Sequence, residues 1–223
     1  MIAAIIDVLN SMLLAINDFT HNYGLSIIVL TILVRLIMWP LMSKQLASAK
    51  AMQEIQPELK KIQEKYKHDT EKLNQATMEL WQKHKINPAA GCLPLLIQLP
   101  ILFAMFRMLQ SPPTIDPQQY FLLGIDMRVA LQTTVEGATV WQQHPGYWIL
   151  VLLSGATTFL QQKLTMTDPS QKMMMAVMPL MLLYFSLRFP AGLVLYWVVN
   201  NLLSLAQHLL IHRQPAKGAV QEQ

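Results

Sequence analysis

The chain has 223 residues, of which 53% are hydrophobic and only 13% charged, and its mean hydropathy is +0.31. Soluble domains usually carry about 25% charged residues, so this composition excludes an ordinary water-soluble globule. It suits about four to six membrane spans of about 20 residues each, with their loops. The net charge is a modest +4, from 17 Lys and Arg against 13 Asp and Glu, so its placement matters more than its sum. The single cysteine, Cys92, excludes an internal disulfide and a Cys-cluster metal site.

Residues 1–20 are apolar but interrupted by Asp7, Asn10, Ser11, Asn17 and Asp18. Ile2, Ile5, Ile6, Leu9, Met12, Leu13 and Ile16 recur at helical spacing, which predicts an amphipathic helix lying in an interface. A signal peptide is the rival reading; the missing basic n-region and the early Asp7 count against it. The first span is read at Gly24–Met42, interrupted only by Arg35 and ending near Pro40. Residues 43–88 read as a helical hairpin. Ile55, Leu59, Ile62 and Tyr66 make one seam, and Leu73, Thr77, Leu80 and His84 the other, so the arms can pair as a short antiparallel coiled coil. The break falls at His68–Asp69–Thr70, where Asp or Thr caps the second arm, and Pro57 fits a first turn. The remaining spans are read at Ala89–Leu109, Tyr147–Leu164, Met173–Leu187 and Ala191–Ile211, and 213–223 as a tail. The fold class expected is therefore an all-α, polytopic membrane protein with five transmembrane helices.

Basic residues set the sidedness. Nine of the 17 lie between Lys44 and Lys85, while 1–20 has none and the 111–146 loop has only Arg128 against Asp116, Asp126 and Glu136. The positive-inside rule then places the hairpin, the 165–172 loop and the C-terminus in the cytoplasm, and residues 1–20 and 111–146 outside. Five spans alternate on this scheme without conflict.

Arg35 is the main chemical clue. It lies well inside the first span, where an arginine costs about 2.5–3.5 kcal/mol on insertion scales. The spans contain no Asp or Glu, so an internal ion pair is not expected. The expectation is a hydrated cavity holding an unpaired positive charge; a snorkelling side chain is the alternative. Thr31 lies one turn before Arg35 on the same face. Gln98 sits inside the second span, and Gln161 and Gln162 end the third. Trp197, Asn201, Ser204 and His208 make a polar stripe on the last span, with Asn200 beside it. Such residues either line a cavity or hydrogen-bond between helices. Leu99, Leu102, Phe103, Met105, Phe106 and Met108, and the methionines Met173, Met174, Met175, Met178 and Met181, offer flexible apolar faces, suited to varied apolar segments or simply to packing and lipid.

Enzymatic readings do poorly. No His-Glu-x-x-His, Gly-x-Ser-x-Gly or phosphate-cradling Gly loop is present, and the six His lack ligand spacing. Nucleic acid is a poor fit, because the basic hairpin interleaves Glu54, Glu58, Glu64, Asp69, Glu71 and Glu79.

Four segments carry a resemblance. Gly24–Leu41 reads GLSIIVLTILVRLIMWPL, Asn87–Pro100 reads NPAAGCLPLLIQLP, Phe121–Met127 reads FLLGIDM, and Phe189–Asn201 reads FPAGLVLYWVVNN. In order and spacing, nearly all of residues 20–213 resembles the YidC-type membrane protein insertases, relatives of the mitochondrial oxidase-assembly and chloroplast albino proteins. The likeness is to the short, five-span bacterial type. Neither the large outer domain of many Gram-negative members nor a Leu-x-x-Cys leader is seen, so either the start is trimmed or this member differs there. The resemblance implies five helices around a hydrophilic groove open to the cytoplasm and lipid, with the family's arginine at Arg35 and a hairpin that recruits substrate. It implies groove positions at Thr31, Gln98, Trp197 and Asn201, and an apolar slide including Leu99, Leu102 and Met178. The expected function is insertion and folding of nascent membrane proteins in the bacterial plasma membrane, alone or with the Sec translocon, in contact with ribosomes and lipid. No cofactor, metal, direct nucleic-acid partner or enzymatic activity is expected. An anion transporter or channel built on Arg35, or a scaffold that assembles without inserting, are the alternatives.

Overall fold

The structure is a computed structural model, and it describes residues 2–84, 93–110, 115–135, 138–139, 145–165 and 172–212. Among these residues there are eight α-helices: α1 (Ile2–Thr20), α2 (Tyr23–Glu54), α3 (Gln56–Lys65), α4 (Thr70–Lys83), α5 (Leu93–Gln110), α6 (Gly146–Thr165), α7 (Lys172–Ser186) and α8 (Ala191–His212). The expectations for Cys92 and the NPAAGC segment, for the 166–171 turn and for the 213–223 tail lie outside the described residues, as do the side chains of Met173–Met175.

Helix α8 is the centre of the bundle. It packs on α2 along one side and on α6 along another; α7 covers α6, and α1 lies on both α2 and α5. The apolar face read from the sequence of α1 is the packed one: Leu9 and Leu13 are buried, with Ile5, Ile6, Met12 and Ile16 against the same core. Asn17 is buried too, and its amide donates to Gln119 Oε1 at 2.7 Å. By length and composition α1 (Ala3–Thr20), α2 (Tyr23–Ser43) and α8 (Ala191–Leu210) are each sufficient to cross a membrane. Helices α5 and α7 contribute shorter apolar stretches, Gln98–Leu109 and Ala176–Ser186.

The helix that contains the first span is longer than the span itself: the apolar stretch is Tyr23–Ser43, and α2 runs on to Glu54 with Pro40 in its interior. At 1.5 Å per residue its 32 residues make a rod about 48 Å long, against about 30 Å of hydrocarbon. Good helix formers after Pro40, including Lys, Gln, Ala and Met, carry the helix on. The turn around Pro40 is tied down by neighbours: Trp39 O accepts from Ser43 Oγ at 2.8 Å and from Gln207 Nε2 of α8 at 3.4 Å.

The polar extension leads into the hairpin. Pro57 occupies the first turn of α3, where its missing N–H costs nothing. Asp69 caps α4, accepting from Lys72 N at 3.1 Å, and its carboxylate also pairs with the Lys72 ammonium at 2.8 Å. That pairing, and then the backbone bond, hold the Asp69 carboxyl below its ordinary value. Ile55, Leu59 and Leu80 form a small core, with Met52, Ile62 and Trp81 packed around it. This core is separate from that of the bundle. Removing residues 57–84 with a short Gly-Ser replacement is therefore expected to leave the thermal unfolding midpoint of the detergent-solubilised bundle within a few degrees of the intact chain. Loss of the folded bundle would contradict this.

The 115–135 segment closes the opposite end. A 3-10 turn at Pro117–Tyr120 precedes β1 (Phe121–Leu122), which pairs antiparallel with β2 (Ile125–Asp126) in the register Phe121↔Asp126 and Leu122↔Ile125. A second two-residue pair joins β3 (Thr134–Val135) to β4 (Ala138–Thr139). The β1–β2 turn places Leu123 at φ 53° and Gly124 at φ 79°. Positive φ at a leucine costs about 1–2 kcal/mol. Arg128 fastens the loop with two bonds to Asp126, at 3.0 and 2.7 Å, and lies over the Tyr120 ring. Tyr147 of α6 donates to Asp126 O at 2.9 Å.

Candidate functional site: a cationic recess among three helices

Arg35 stands midway along the apolar part of α2, facing α8. Its Nε donates to Asn200 Oδ1 at 2.9 Å and its Nη2 to Asn200 O at 3.0 Å. Nη2 also donates to Ser204 Oγ, whose own hydroxyl donates to Asn200 O at 2.9 Å. The guanidinium is thus held by neutral acceptors. This refines the expectation of an unpaired charge: Arg35 is well hydrogen-bonded, yet no carboxylate approaches it among the described residues, where the carboxylate contacts are Lys72–Asp69, Arg128–Asp126 and, at 3.5 Å, His84–Glu58. Neutral acceptors fix the side chain in place but leave its net charge uncancelled.

The charge borders a small recess lined by Thr31, Val34, Arg35, Met38 and Met42 of α2, Gln98 and Ile101 of α5, and Tyr196 and Asn200 of α8. Gln98 donates to the Tyr196 hydroxyl across the recess. Thr31 is buried and turns its hydroxyl back onto Ile27 O at 2.6 Å. The lining on α2 runs from Thr31 towards the end that leads to the hairpin, and on α5 it lies in the first half, the end that follows α4. The other end is filled by side chains. Tyr23, Ile27 and Leu30 of α2, Met105 and Met108 of α5, and Met127 and Leu131 of the loop are all buried in one core. Gly192 sits there with so little room that a Cβ would lie 3.0 Å from Ile27 Cδ1, 3.1 Å from Leu109 Cδ2 and 3.1 Å from Met127 O. The space between α2, α5 and α8 is therefore polar around Arg35, flanked by Met38 and Met42 on the hairpin side, and tightly packed towards the loop.

The expected residues do not all meet at this recess. Arg35, Thr31 and Gln98 do. Trp197 and Asn201 make their bonds on the other side of α8, against α6. Trp197 Nε1 donates to Thr158 Oγ1 at 2.9 Å, and Asn201 Nδ2 donates to Thr158 Oγ1 at 2.8 Å and to Thr157 Oγ1 at 3.2 Å. Ser154 and Ser186 extend this buried polar seam to α7, 2.9 Å apart. Gln162 is buried in it and donates to Met178 Sδ. Leu99 is exposed on α5, whereas Leu102 and Met178 are half-buried. Exposed Phe103 on α5 and Val177, Leu180 and Met181 on α7 continue an apolar outer surface. Tyr196 was not expected. Asn200 and Ser204 lay in and beside the stripe, with nothing in the sequence to say that they, rather than Trp197 and Asn201, bind the guanidinium.

Thr158 accepts from two donors, so Thr158→Val strands Trp197 Nε1 and leaves Asn201 Nδ2 only its 3.2 Å bond to Thr157 Oγ1. An unsatisfied buried donor costs about 1–3 kcal/mol in soluble proteins, but interhelical bonds in membranes average only about 0.6 and reach about 1.7. The expected loss is about 1–2 kcal/mol in a reversible detergent unfolding measurement, with Thr158→Ser close to the parent. Equal stability of the Val variant would mean that the seam contributes nothing.

The helices and the site together define a multi-pass helical membrane protein with a cationic polar recess among its apolar segments. The chain belongs to the 60Kd inner membrane protein family, whose model matches residues 15–218. It is 43% identical over 199 residues to the membrane protein insertase MisCA of Bacillus subtilis, covering 85% of this chain and 70% of that protein. It is 44% identical over 197 residues to the membrane protein insertase YidC of Syntrophobacter fumaroxidans, covering 87% of this chain and 35% of that one. The chain thus spans about a third of the length of the YidC relatives it matches. A crystal structure described as an active YidC insertase with the first transmembrane domain resolved superposes with a TM-score of 0.69 at 26% identity, over 91% of this chain and 45% of that one.

Proposed function

We propose that this chain inserts nascent membrane proteins into the bacterial plasma membrane and assists their folding, using the Arg35 recess to receive the polar segment that must cross. The observation that carries this reading is a guanidinium fixed by Asn200 and Ser204 and, among the described residues, left without a carboxylate, in a recess that lies towards the hairpin end. The names of the relatives support it. Its likeness to the insertase crystal structure supports it too.

The physics is that of shortening a dry path. A polar tail otherwise crosses about 30 Å of hydrocarbon. A wet recess reaching mid-membrane removes roughly half of that distance. Arg35 attracts carboxylates of the tail, and the low dielectric around it strengthens the attraction. The membrane potential favours outward movement of negative charge by about 2.3 kcal/mol per charge per 100 mV. Meanwhile the apolar segment leaves along the outer faces of α5 and α7, by way of Leu99, Leu102 and Met178, and its partition into lipid drives release. No bond of the substrate is made or broken, and no cofactor takes part.

In this reading α2, α5, α6, α7 and α8 are the five spans, and α1 lies in the outer interface. Asp7, Ser11 and Asp18, exposed along α1, support that placement, and the lysine-rich hairpin supports a cytoplasmic location for α3 and α4. Trp197 and Asn201 serve the recess by holding α8 against α6. Ribosomes and the Sec translocon are the partners expected to deliver or share substrates, through the hairpin in the first instance. The test is synthesis of a single-span substrate with a short acidic outer tail in the presence of vesicles holding only this chain. Protease protection of the tail is expected with the chain and not in empty vesicles; equal protection in both would overturn the proposal.

A further inference from the structure

We propose that the β1–β2 turn is a membrane anchor, with Leu123 seated among the lipids of the outer leaflet. Leu123 is 93% exposed, the highest exposure among the large apolar side chains of the described residues. It also stands at φ 53° in the first central position of a two-residue turn, with Gly124 at φ 79° in the second. Turns with both central residues at positive φ favour Asn-Gly or Asp-Gly, whose side chains tolerate the conformation and water alike. A leucine here is unfavourable in water on both counts, in conformation and in solvation. Contact with hydrocarbon reverses the second.

The position of the turn supplies that contact. Leu122 packs directly on Gly24, where a Cβ would meet the Leu122 side chain at 2.7 Å, and Ile125 lies beside Gly146, at 3.5 Å by the same measure. The hairpin is thereby fixed to the first turns of α2 and α6, and Asn22 reinforces the fixation by donating to Phe121 O at 2.8 Å. The neighbouring first turns carry exposed Leu25 on α2 and exposed Trp148 and Ile149 on α6. Phe121, also exposed, lies one strand position from the turn. The apolar outer surface of the spans is therefore continuous with the tip of the turn, and tryptophan beside it is the residue that membrane interfaces favour. The occupant that fits this surface is acyl chain just beneath the headgroups, with no charged side chain of the hairpin tip in the way.

This inference rests on the spans and sidedness of the proposed function but not on insertion itself, since it concerns only how the loop meets the bilayer. It is tested on the full chain carrying Cys92→Ser, with a nitroxide on Leu123→Cys, reconstituted in vesicles of phosphatidylethanolamine and phosphatidylglycerol. Relaxation by oxygen and by a water-soluble nickel chelate is read against Leu33→Cys on the exposed face of α2 and Lys67→Cys in the hairpin. Leu123→Cys is expected to follow the Leu33 site, open to oxygen and closed to the chelate. Chelate access matching the Lys67 site would overturn the proposal. A second reporter, Phe121→Cys, guards against a local effect of the label at the tip. It is expected to gain chelate access when Leu123→Asp is added, and unchanged access there would equally count against the anchor.

Discussion

Replacing Arg35 with alanine is expected to lower insertion of substrates with acidic outer tails by at least about tenfold, and to lower insertion of neutral-tailed substrates much less. The size follows from the charge. One carboxylate at 4 Å from the guanidinium gains about 4 kcal/mol at an effective dielectric of 20, and about 1.4 kcal/mol already makes a factor of ten. The fold should survive. Ser204 still donates to Asn200 O without Arg35, so Asn200 Oδ1 alone loses its donor, on the border of a polar recess. Arg35→Lys keeps the charge but cannot reproduce the forked contact with Asn200 and Ser204. It is expected to retain much of the activity, above Arg35→Ala. Initial rates of tail protection in reconstituted vesicles measure all three. Undiminished insertion of acidic-tailed substrates by the alanine variant would remove recruitment by charge from the mechanism.

The second large effect lies at the packed end. Gly192→Leu adds a side chain where even a Cβ is crowded by Ile27, Leu109 and the carbonyl of Met127. That carbonyl cannot turn aside freely, because it accepts the Gly192 N–H at 2.9 Å. Overpacking usually costs about 1–3 kcal/mol, and a rigid backbone neighbour puts this site at the upper end. The expected result is a fall of about 6–12 °C in the unfolding midpoint in detergent, on the scale of about 2–4 °C per kcal/mol for chains of this size. Gly192→Ala is expected to fall by a smaller amount in the same direction. A leucine variant as stable as the parent would show that the end away from the hairpin is looser than the geometry says.

Much of this arrangement is legible in the residues themselves. An arginine inside a span, in a chain whose spans hold no acid, already implies a charge with neutral company. The hairpin seam is legible in part: of Ile55, Leu59, Ile62 and Tyr66 on one arm and Leu73, Thr77, Leu80 and His84 on the other, Ile55, Leu59, Ile62 and Leu80 pack in the small core, joined by Met52 and Trp81, and Asp69 marks the break. Other features are not local. The polar arc of α8 is visible in sequence, but successive residues turn by about 100°. Asn200 and Asn201 therefore face different neighbours, and nothing in the order of residues says that the first meets Arg35 and the second meets Thr158. Nor does it reveal that α2 runs through Pro40 unbroken, with Gln207 of α8 reaching both the Trp39 carbonyl and Ser43 beside it. The β1–β2 pair escapes pattern reading because each strand has two residues and the turn uses Leu-Gly in place of the usual Asn-Gly.

The central claim is that the recess beside Arg35 is wet and reached from the hairpin side. Single cysteines at Val34, Met38 and Met42, with Ile27 and Leu30 as controls, test it in a Cys92→Ser chain reconstituted with one orientation. A membrane-impermeant thiol reagent supplied on the hairpin side should modify positions 34, 38 and 42 and leave 27 and 30 untouched from either side. Modification of 34 and 38 only from the opposite side, or of none of the three, would contradict the account.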